Sequence, residues 1–439
     1  KIFTYKQIRK CEDYLLKMWS KHNVNFTESL QALHFSCRHA FFKSSSFFDS
    51  LIFREINDMF LFAENIRNGK FGNVKNIIHL GTGGSNFGPQ LIYDCFKNLT
   101  TGPKMHFVSN IDPSPLSILT KNLDPMSTLI FVVSKSFTTV ETLSNLKRVK
   151  SWFSKTLPSE VYMSKIVAIT SNYKNALSNK ILPKNIVRFN KSIGGRFSIW
   201  SAANLAIPTT FGTEFFKNFL KGGKSIDDHV SIDICNSLPF SLAERSYYSR
   251  LIKREFSHCI VPYLDALKFL PIYLQQLIME SNGKSFDQNL NKINSPTSNV
   301  FGYQGTDAQH TFFQSLHQST LNTSIDLICF NKIQDNFSFI NKELDLHAFK
   351  VLFVNCLAQY YSFKNGNVDH LSNVNDFKLV EGNKCVNLLL LEKLSPFSLG
   401  QIICLYEYKT IIEAALSNVN PFDQYGVELG KNISNKFLN

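Results

Sequence analysis

The stretch that decides the fold reads TLIFVVSKSFTTVETLSNLKRV and occupies residues 128–149. Its first six residues are mostly apolar and β-branched, which is typical of a strand buried in a parallel sheet. Apolar residues then recur at helical spacing, at Leu143, Leu146 and Val149. Thr138 with Glu141 three residues later is the capping-box pattern that begins a helix. The stretch therefore predicts a strand, a turn rich in hydroxyl groups, and a helix.

The turn of this stretch carries several hydroxyl groups and one ammonium group. Its candidate anion-binding residues are Ser134, Lys135, Ser136 and Thr139. Hydroxyl donors, a lysine and the free backbone N–H groups of a helix N-terminus are the groups that bind a phosphate dianion. An ordinary strand-to-helix turn has the same composition, so the other loops of the chain have to decide between the two interpretations.

Similar strands recur through the first half of the chain. They are predicted at residues 76–80, 105–109, 129–133, 165–169 and 186–189. Helical segments separate most of them, and this alternation predicts an α/β fold with a doubly wound parallel sheet. Ligands of such sheets bind at the carboxyl ends of the strands.

Beyond about residue 220 the alternation of strands and helices gives way to longer predicted helices, with further strands predicted at 326–330 and 386–391. We predict a second α/β domain there. The first domain is placed at residues 46–218, and the second at residues 1–45 together with 219–439. Helical segments are predicted at the N- and C-termini.

A glycine-rich loop, GTGGSNFG at residues 81–88, follows the first predicted strand. Glycine lets the backbone approach an anion closely, which makes Gly84 and Ser85 candidate ligand-binding residues. The dinucleotide-binding fingerprint G-x-G-x-x-G would require glycine where Asn86 stands, and no complete Walker A motif for binding a nucleoside triphosphate occurs. NAD and ATP are therefore not indicated, whereas a small phosphate ester is.

A second glycine loop, IGGRFS at residues 193–198, follows the fifth predicted strand. Gly195 offers its backbone to a ligand, and Arg196 supplies a cation for an anion or a developing enolate. An exposed arginine in a turn is the alternative for this loop when it is considered alone.

Three later segments carry residues suited to proton transfer. In PIYLQQLIMESNGK (271–284), Gln276 and Glu280 are four residues apart on one helical face, and Glu280 is a candidate general base. In GTDAQHTFFQSLHQ (305–318), His310 is a candidate proton carrier and His317 a structural residue. These two histidines have no third ligand at metal-binding spacing, so no metal is expected.

The third segment, NPFDQYGVELGK, occupies residues 420–431. Asn420 and Pro421 predict a helix start, because asparagine caps helices and proline suits the first helical position. Gln424, Glu428 and Lys431 would then lie on one face of that helix, although a lone lysine at such a position is usually exposed to solvent.

The bulk composition narrows the class of protein. The 439 residues are 44% hydrophobic and 18% charged, as in a folded chain. The net charge of +13 is dispersed, so nucleic acid is not an expected partner, and no apolar run is long enough for a membrane span.

Nine scattered cysteines without a C-x-x-C pair indicate a reducing compartment. The first residues lack the apolar core of a signal peptide, and a cytoplasmic location is expected.

Taken together, these segments resemble the glucose-6-phosphate isomerase (phosphoglucose isomerase) family. The matching blocks are the glycine-rich loop, SKSFTTVET, GGRFSIWS, MESNGK, GTDAQH and FDQYGVELGK, in the family's order from about residue 77 to 431. The resemblance implies two sugar-isomerase domains, a homodimer, no cofactor or metal, and interconversion of glucose 6-phosphate with fructose 6-phosphate.

The resemblance also implies roles for single residues. Phosphate-binding residues would be Ser85, Ser134, Lys135, Ser136 and Thr139. Glu280 would move a proton between C2 and C1 through a cis-enediol that Arg196 and the Gly195 backbone stabilise. His310 and Lys431 would open the sugar ring, with His310 donated by the partner subunit. Gln276 and Gln424 would position the sugar.

Two alternatives stay open at this point. One is an isomerase of another hexose phosphate, such as a dual glucose and mannose phosphate isomerase. The other is a non-catalytic regulator that binds a sugar phosphate. A regulator needs only the phosphate loops, whereas this chain also carries Glu280, Arg196, His310 and Lys431.

Overall fold

The computed structural model describes residues 3–39, 47–293, 297–335, 337–367 and 376–438. The chain forms two compact units. The first unit comprises Leu33–Asp227 with Leu399–Gln401, and the second comprises Lys1–Ala32, Asp228–Ser398 and Ile402–Asn439. The first unit thus extends beyond residues 46–218 at both ends, and the domain boundaries proposed above stay a prediction.

Seventeen α-helices are assigned within the described ranges. They are α1 Tyr5–Trp19, α2 His34–His39, α3 Phe47–Arg67, α4 Gly84–Phe96, α5 Pro113–Asn122, α6 Val140–Phe153, α7 Ser159–Ser164, α8 Tyr173–Ser178, α9 Ala206–Phe211, α10 Thr213–Ile232, α11 Leu238–Leu251, α12 Leu270–Gln275, α13 Gly305–Gln309, α14 Phe313–Gln318, α15 Lys342–Asn365, α16 Pro396–Ser417 and α17 Glu428–Leu438.

A five-stranded parallel sheet organises the first unit. Its strands are β1 Asn76–Gly81, β2 Lys104–Val108, β3 Thr128–Val133, β4 Ile166–Thr170 and β5 Ile186–Arg188, in the order β2-β1-β3-β4-β5. The first and last residues of each strand lie within one residue of the range predicted from the sequence. The prediction of these five strands is therefore confirmed. The accuracy follows from burial, since β3 and β4 are buried along their whole length and so had to be continuously apolar.

The core of this unit forms where helix α6 packs on one face of the sheet. Ile130 and Val132 of β3 share a buried cluster with Leu146, Val149 and Phe153 of α6. The helical spacing noted in the sequence is therefore the spacing of the buried face of α6. This packing fixes the N-terminus of α6 above the carboxyl end of β3.

A four-stranded parallel sheet organises the second unit. Its strands are β6 Ser257–Pro262, β7 Asn299–Gly302, β8 Thr323–Phe330 and β9 Val386–Leu391, in the order β7-β6-β8-β9. The sequence prediction of two α/β domains with parallel sheets is confirmed, and it located β8 and β9. It missed the four-residue strand β7, and it missed β6 because the buried His258 interrupts its apolar run. His258 Nε2 lies 2.9 Å from Asp326 Oδ2 of β8.

Helix α1 packs against α16, far along the chain. Its buried residues are Cys11, Leu15 and Met18. Trp19 Nε1–H donates to the Tyr408 hydroxyl at 3.0 Å, across 389 residues of sequence. A local capping box begins the helix: the Thr4 hydroxyl accepts from Gln7 N–H, and the Gln7 side chain accepts from Thr4 N–H.

Across the residues that the structure describes, no helix is both long and apolar enough to cross a membrane.

The carboxyl group of Glu55 on α3 makes the first unit sensitive to pH. Burial raises the pKa of Glu55 to about 7 from its ordinary 4.5, although the N–H of Asn190 opposes the shift. The folded state therefore binds this proton more tightly than the unfolded state does. The resulting stability is fully present below pH 4.5 and is lost as pH rises through 7.

We predict that Glu55→Gln raises the free energy of unfolding at pH 8 by on the order of 2 kcal/mol. Glutamine resembles the protonated carboxyl group, so the gain should shrink towards pH 5. Urea unfolding across this pH range measures both values. Glu214→Gln, at a side chain that is 74% exposed, is the control. A gain that does not change with pH would contradict the prediction.

Candidate functional site

The strand order of the first sheet places two of the predicted loops next to each other. The chain moves from β1 outward to β2 and then returns past β1 to β3, so its direction switches between β1 and β3. Gly81 at the end of β1 pairs in register with Val133 at the end of β3. The loops that follow therefore leave the sheet side by side, at the position where open α/β sheets bind ligands.

The glycine-rich loop makes a close backbone contact with the second glycine loop. Gly83 has a φ of 59°, a conformation that favours glycine, and Gly84 begins α4. A Cβ atom on Gly84 would overlap the backbone of Gly195 and Arg196. The structure thus brings the loops at 81–88 and 193–198 together, and the absence of a side chain at Gly84 allows this approach.

A buried histidine supports the glycine-rich loop from below. His79 Nε2 lies 2.7 Å from the carbonyl oxygen of Ser85. Burial lowers the pKa of His79 to about 4, so the ring is neutral near pH 7 and donates Nε2–H to that carbonyl. His79 carries no sequence signal for this role, because it stands within the apolar run of β1.

The hydroxyl-rich turn is organised by Ser134. Its Oγ lies 3.0 Å from Thr139 Oγ1 and accepts the Phe137 N–H at 3.1 Å. Phe137 takes a φ of 54° and buries its ring, which turns the chain sharply. Thr139 rather than Thr138 precedes α6, and no side chain caps the helix. The capping-box prediction is therefore wrong, because the Thr138 hydroxyl lies 2.6 Å from Ser136 Oγ and the Thr139 hydroxyl lies against Ser134.

The backbone carbonyl groups of Lys135 and Ser136 bind neighbouring segments, and the Ser136 hydroxyl lies 2.6 Å from Thr138 Oγ1. The Lys135 carbonyl accepts the hydroxyl groups of Thr170 and Ser171 at 3.1 and 2.8 Å. The Ser136 carbonyl accepts from Asn175 Nδ2 at 2.9 Å. The Lys135 side chain is half-buried and that of Ser136 exposed.

Arg196 is a buried cation in the first unit. It lies on a short 3₁₀ helix, Gly195–Trp200, and is 2% exposed. Its guanidinium carbon lies 5.5 Å from the centre of the Phe197 ring. The backbone contact with Gly84 places this segment beside the glycine-rich loop.

The candidate base lies in the second unit, where α12 passes into a π-helical turn over Gln276–Glu280. Pro271 stands in the first turn of α12, as predicted. Single π turns within helices are rare and often mark functional sites. Gln276 has a buried Oε1 with no hydrogen-bond partner among the described residues.

Glu280 and Gln424 line one cavity of about 530 Å³. The walls of this cavity come from three separate segments: Phe26–Thr27, residues 279–290, and residues 420–427. Glu280 is half-buried there. The structure thus brings together two predicted residues that are far apart in sequence, and adds Phe26 and Thr27, for which the sequence gave no signal.

The helix predicted to begin at Asn420 is absent. Asn420 Oδ1 accepts the Phe422 N–H at 3.1 Å and holds a turn, and α17 begins only at Glu428. The prediction is wrong because Asn420 Nδ2 bonds to Asn25 and Thr27, about 395 residues away, and these tertiary contacts outweigh the local capping preference.

His310 and Lys431 lie outside this cavity. His310 follows the last residue of α13 and is exposed, and Lys431 is exposed on α17. Within the described residues, no three His, Cys, Asp or Glu side chains form a group that could hold a metal ion.

The fold and these residues define a class of protein: a two-sheet α/β chain with glycine- and hydroxyl-rich loops at the switch point of one sheet and a carboxylate, Glu280, that lines a cavity in the second unit. Comparison with known proteins identifies the family within this class. A sequence model of the phosphoglucose isomerase family matches residues 1–439. The chain belongs to the phosphoglucose isomerase family.

Individual relatives agree with this assignment. A glucose-6-phosphate isomerase of Acinetobacter baumannii (strain SDF) is 33% identical over 100% of this chain and 82% of its own length. One of Christiangramia forsetii is 37% identical over 83% of this chain and 68% of its own. The crystal structure of a glucose-6-phosphate isomerase from Chlamydia trachomatis superimposes with a TM-score of 0.84 at 29% identity, covering 94% of this chain and 79% of that one.

We predict that Gly84→Ala destabilises the chain by about 1–3 kcal/mol, because the methyl group would force the two glycine loops apart. Gly430→Ala is the matched control, since a Cβ there meets nothing within 4 Å. Thermal unfolding compares the two variants. Equal unfolding temperatures would show that the loop contact is not tight.

Proposed function

We propose that this chain catalyses the reversible isomerisation of glucose 6-phosphate and fructose 6-phosphate, a step of glycolysis and gluconeogenesis. The observation that carries the proposal is the cavity in which Glu280 and Gln424 meet, in a chain that belongs to this family over its whole length. A regulator that only bound a sugar phosphate would have no use for a carboxylate placed in this way.

The phosphate of the substrate is assigned to the loops at the switch point of the first sheet. Ser85, Ser134, Lys135, Ser136 and Thr139 supply one ammonium group and several hydroxyl groups, and the N-termini of α4 and α6 add backbone N–H groups. Binding energy gained at this non-reacting group fixes the position of the reacting carbons.

The proton transfer is assigned to Glu280. Its carboxylate removes the proton from C2 of the open-chain aldose, and the electron pair forms a cis-enediol with negative charge on oxygen. Proton transfer from the O2 hydroxyl to O1 moves the negative charge to O2. The same carboxyl group then returns its proton to C1 as the C2=O bond forms, which gives the ketose. Arg196 and the Gly195 backbone stabilise the developing charge. Gln276 and Gln424 position the hydroxyl groups of the sugar.

Ring opening is assigned to His310 and Lys431, and His310 is proposed to act across a homodimer. Its exposed position outside the cavity of its own chain supports this assignment. The Gln309 amide next to it donates to Asn355 of α15, so His310 is anchored to that helix.

Helix α15 has an exposed apolar face that suits a second copy of this chain. Leu344, Val351, Val354 and Tyr361 are each more than half exposed on this 24-residue helix. Successive members are seven, three and seven residues apart, which matches the heptad spacing of a contact stripe between helices. Burying this face against a partner would carry His310 to the interface.

We expect Glu280→Gln to reduce kcat by about 10³-fold or more while leaving KM within a few fold, since only the proton acceptor is lost. Initial rates with fructose 6-phosphate measure both constants, and mannose 6-phosphate tests the alternative substrate. Glu214→Gln, at an exposed ion pair, is the control. Near-normal turnover by Glu280→Gln would refute the base assignment. A wild-type enzyme that does not convert fructose 6-phosphate would refute the proposed function.

We expect hybrid dimers of Glu280→Gln and His310→Ala subunits to recover activity that neither variant has alone. One site of each hybrid keeps both residues, so random assortment gives roughly one quarter of wild-type activity. Mixed refolding followed by rate assays measures this, and light scattering confirms the dimer. Hybrids without activity would place His310 and Glu280 of the same subunit in one site.

A further inference from the structure

The ammonium group of Lys284 closes the end of the helical segment that carries Glu280. Its Nζ donates to the carbonyl oxygens of Glu280 and Ser281, both at 2.8 Å. The side chain is 17% exposed, so the cation is largely shielded from water. Lysine side chains commonly hydrogen-bond the last carbonyls of a helix. These two contacts alone would be an ordinary helix cap.

Two further contacts of Lys284 join this helix end to a distant segment. Nζ donates to the carbonyl oxygen of Asp423 at 2.9 Å and lies 3.3 Å from Asp423 Oδ1. Asp423 directly precedes Gln424, and both line the cavity that contains Glu280. One ammonium group therefore ties the backbone of Glu280 to the backbone beside Gln424.

Asp423 in turn binds the segment Phe26–Thr27, which forms the third wall of the cavity. Its Oδ2 accepts from the Thr27 hydroxyl and from Asn420 Nδ2, both at 2.9 Å. Asp423 is 5% exposed, so these bonds form out of water, where hydrogen bonds to a charged group are strong. The three chain segments that wall the cavity are thus connected through Lys284 and Asp423.

We propose that Lys284 is a positioning residue for the isomerisation: through the Glu280 carbonyl and Asp423, it sets the position of the Glu280 carboxylate relative to Gln424. This inference rests on the proposed function. Lys284 does not itself exchange a proton with the substrate. It acts by holding the backbone carbonyl of Glu280, the last residue of the π-helical turn.

A purely structural role for Lys284 makes a different prediction from a positioning role. Loss of stability lowers the amount of folded enzyme and leaves the properties of the remaining sites unchanged. Displacement of the base slows proton transfer in every folded molecule. The kinetic isotope effect with glucose 6-phosphate deuterated at C2 separates the two cases, because it reports how far proton transfer limits the rate.

The test uses Lys284→Met in the full chain. The concentration of folded protein is measured, and kcat is calculated per folded molecule. We expect kcat about 10²-fold lower, KM within a few fold of wild type, and a larger deuterium isotope effect on kcat. Lys217→Met is the matched control, because Lys217 also pairs with an acidic residue, Glu214, but in the first unit. It should keep wild-type constants and isotope effect.

Several outcomes would overturn the proposal. One is a folded Lys284→Met variant with wild-type kcat and isotope effect. If Lys284→Met does not fold, Lys284→Arg retains the charge and is expected to fold with intermediate kcat and a raised isotope effect. Wild-type values for Lys284→Arg would then assign Lys284 to stability alone. An inactive wild type would instead refute the proposed function, so the two failures are distinguishable.

Discussion

The parallel pairing of β1 with β3 is the constraint on which the first unit depends. Because Gly81 and Val133 end these strands in register, the two following loops must leave the sheet next to each other. Neither loop needs a long-range contact of its own to reach this position. The sheet supplies the geometry, and the loops need only glycine for close backbone approach and hydroxyl groups for polar contacts. A neutral His79 below them adds support without adding charge.

The second unit positions its residues in another way. Its cavity is walled by segments around residues 27, 280 and 423, and side-chain hydrogen bonds rather than adjacent strand ends connect them. Such a site depends on a few buried polar groups, each of which loses its partner if another is removed. The two units therefore tolerate substitutions differently: backbone geometry dominates in the first, and the buried polar network dominates in the second.

These differences explain what could be predicted from sequence. The run at 128–133 is apolar because both faces of the sheet are covered, so pattern alone located β3 and its neighbours. Local patterns failed where distant partners decide. Asn420 has the sequence of a helix cap, yet its amide bonds to Asn25 and Thr27. His258 looks like a break in a strand, yet Asp326 pairs with it inside the sheet. The meeting of Glu280 with Gln424 is likewise a tertiary fact that spacing along the chain does not encode.

The packing of α1 on α16 has a consequence for the order in which the protein is built. Translation delivers α1 before α16, and Tyr408, which bonds to Trp19, follows 389 residues later. At about 5–20 residues per second, that interval lasts roughly 20–80 s. Residues 33–227, which make up nearly all of the first unit, emerge in full during this time. The capping box of Thr4 and Gln7 needs no distant partner, so it can hold the new helix while its apolar face waits. Helix α1 is thus synthesised long before its partner helix α16 is available.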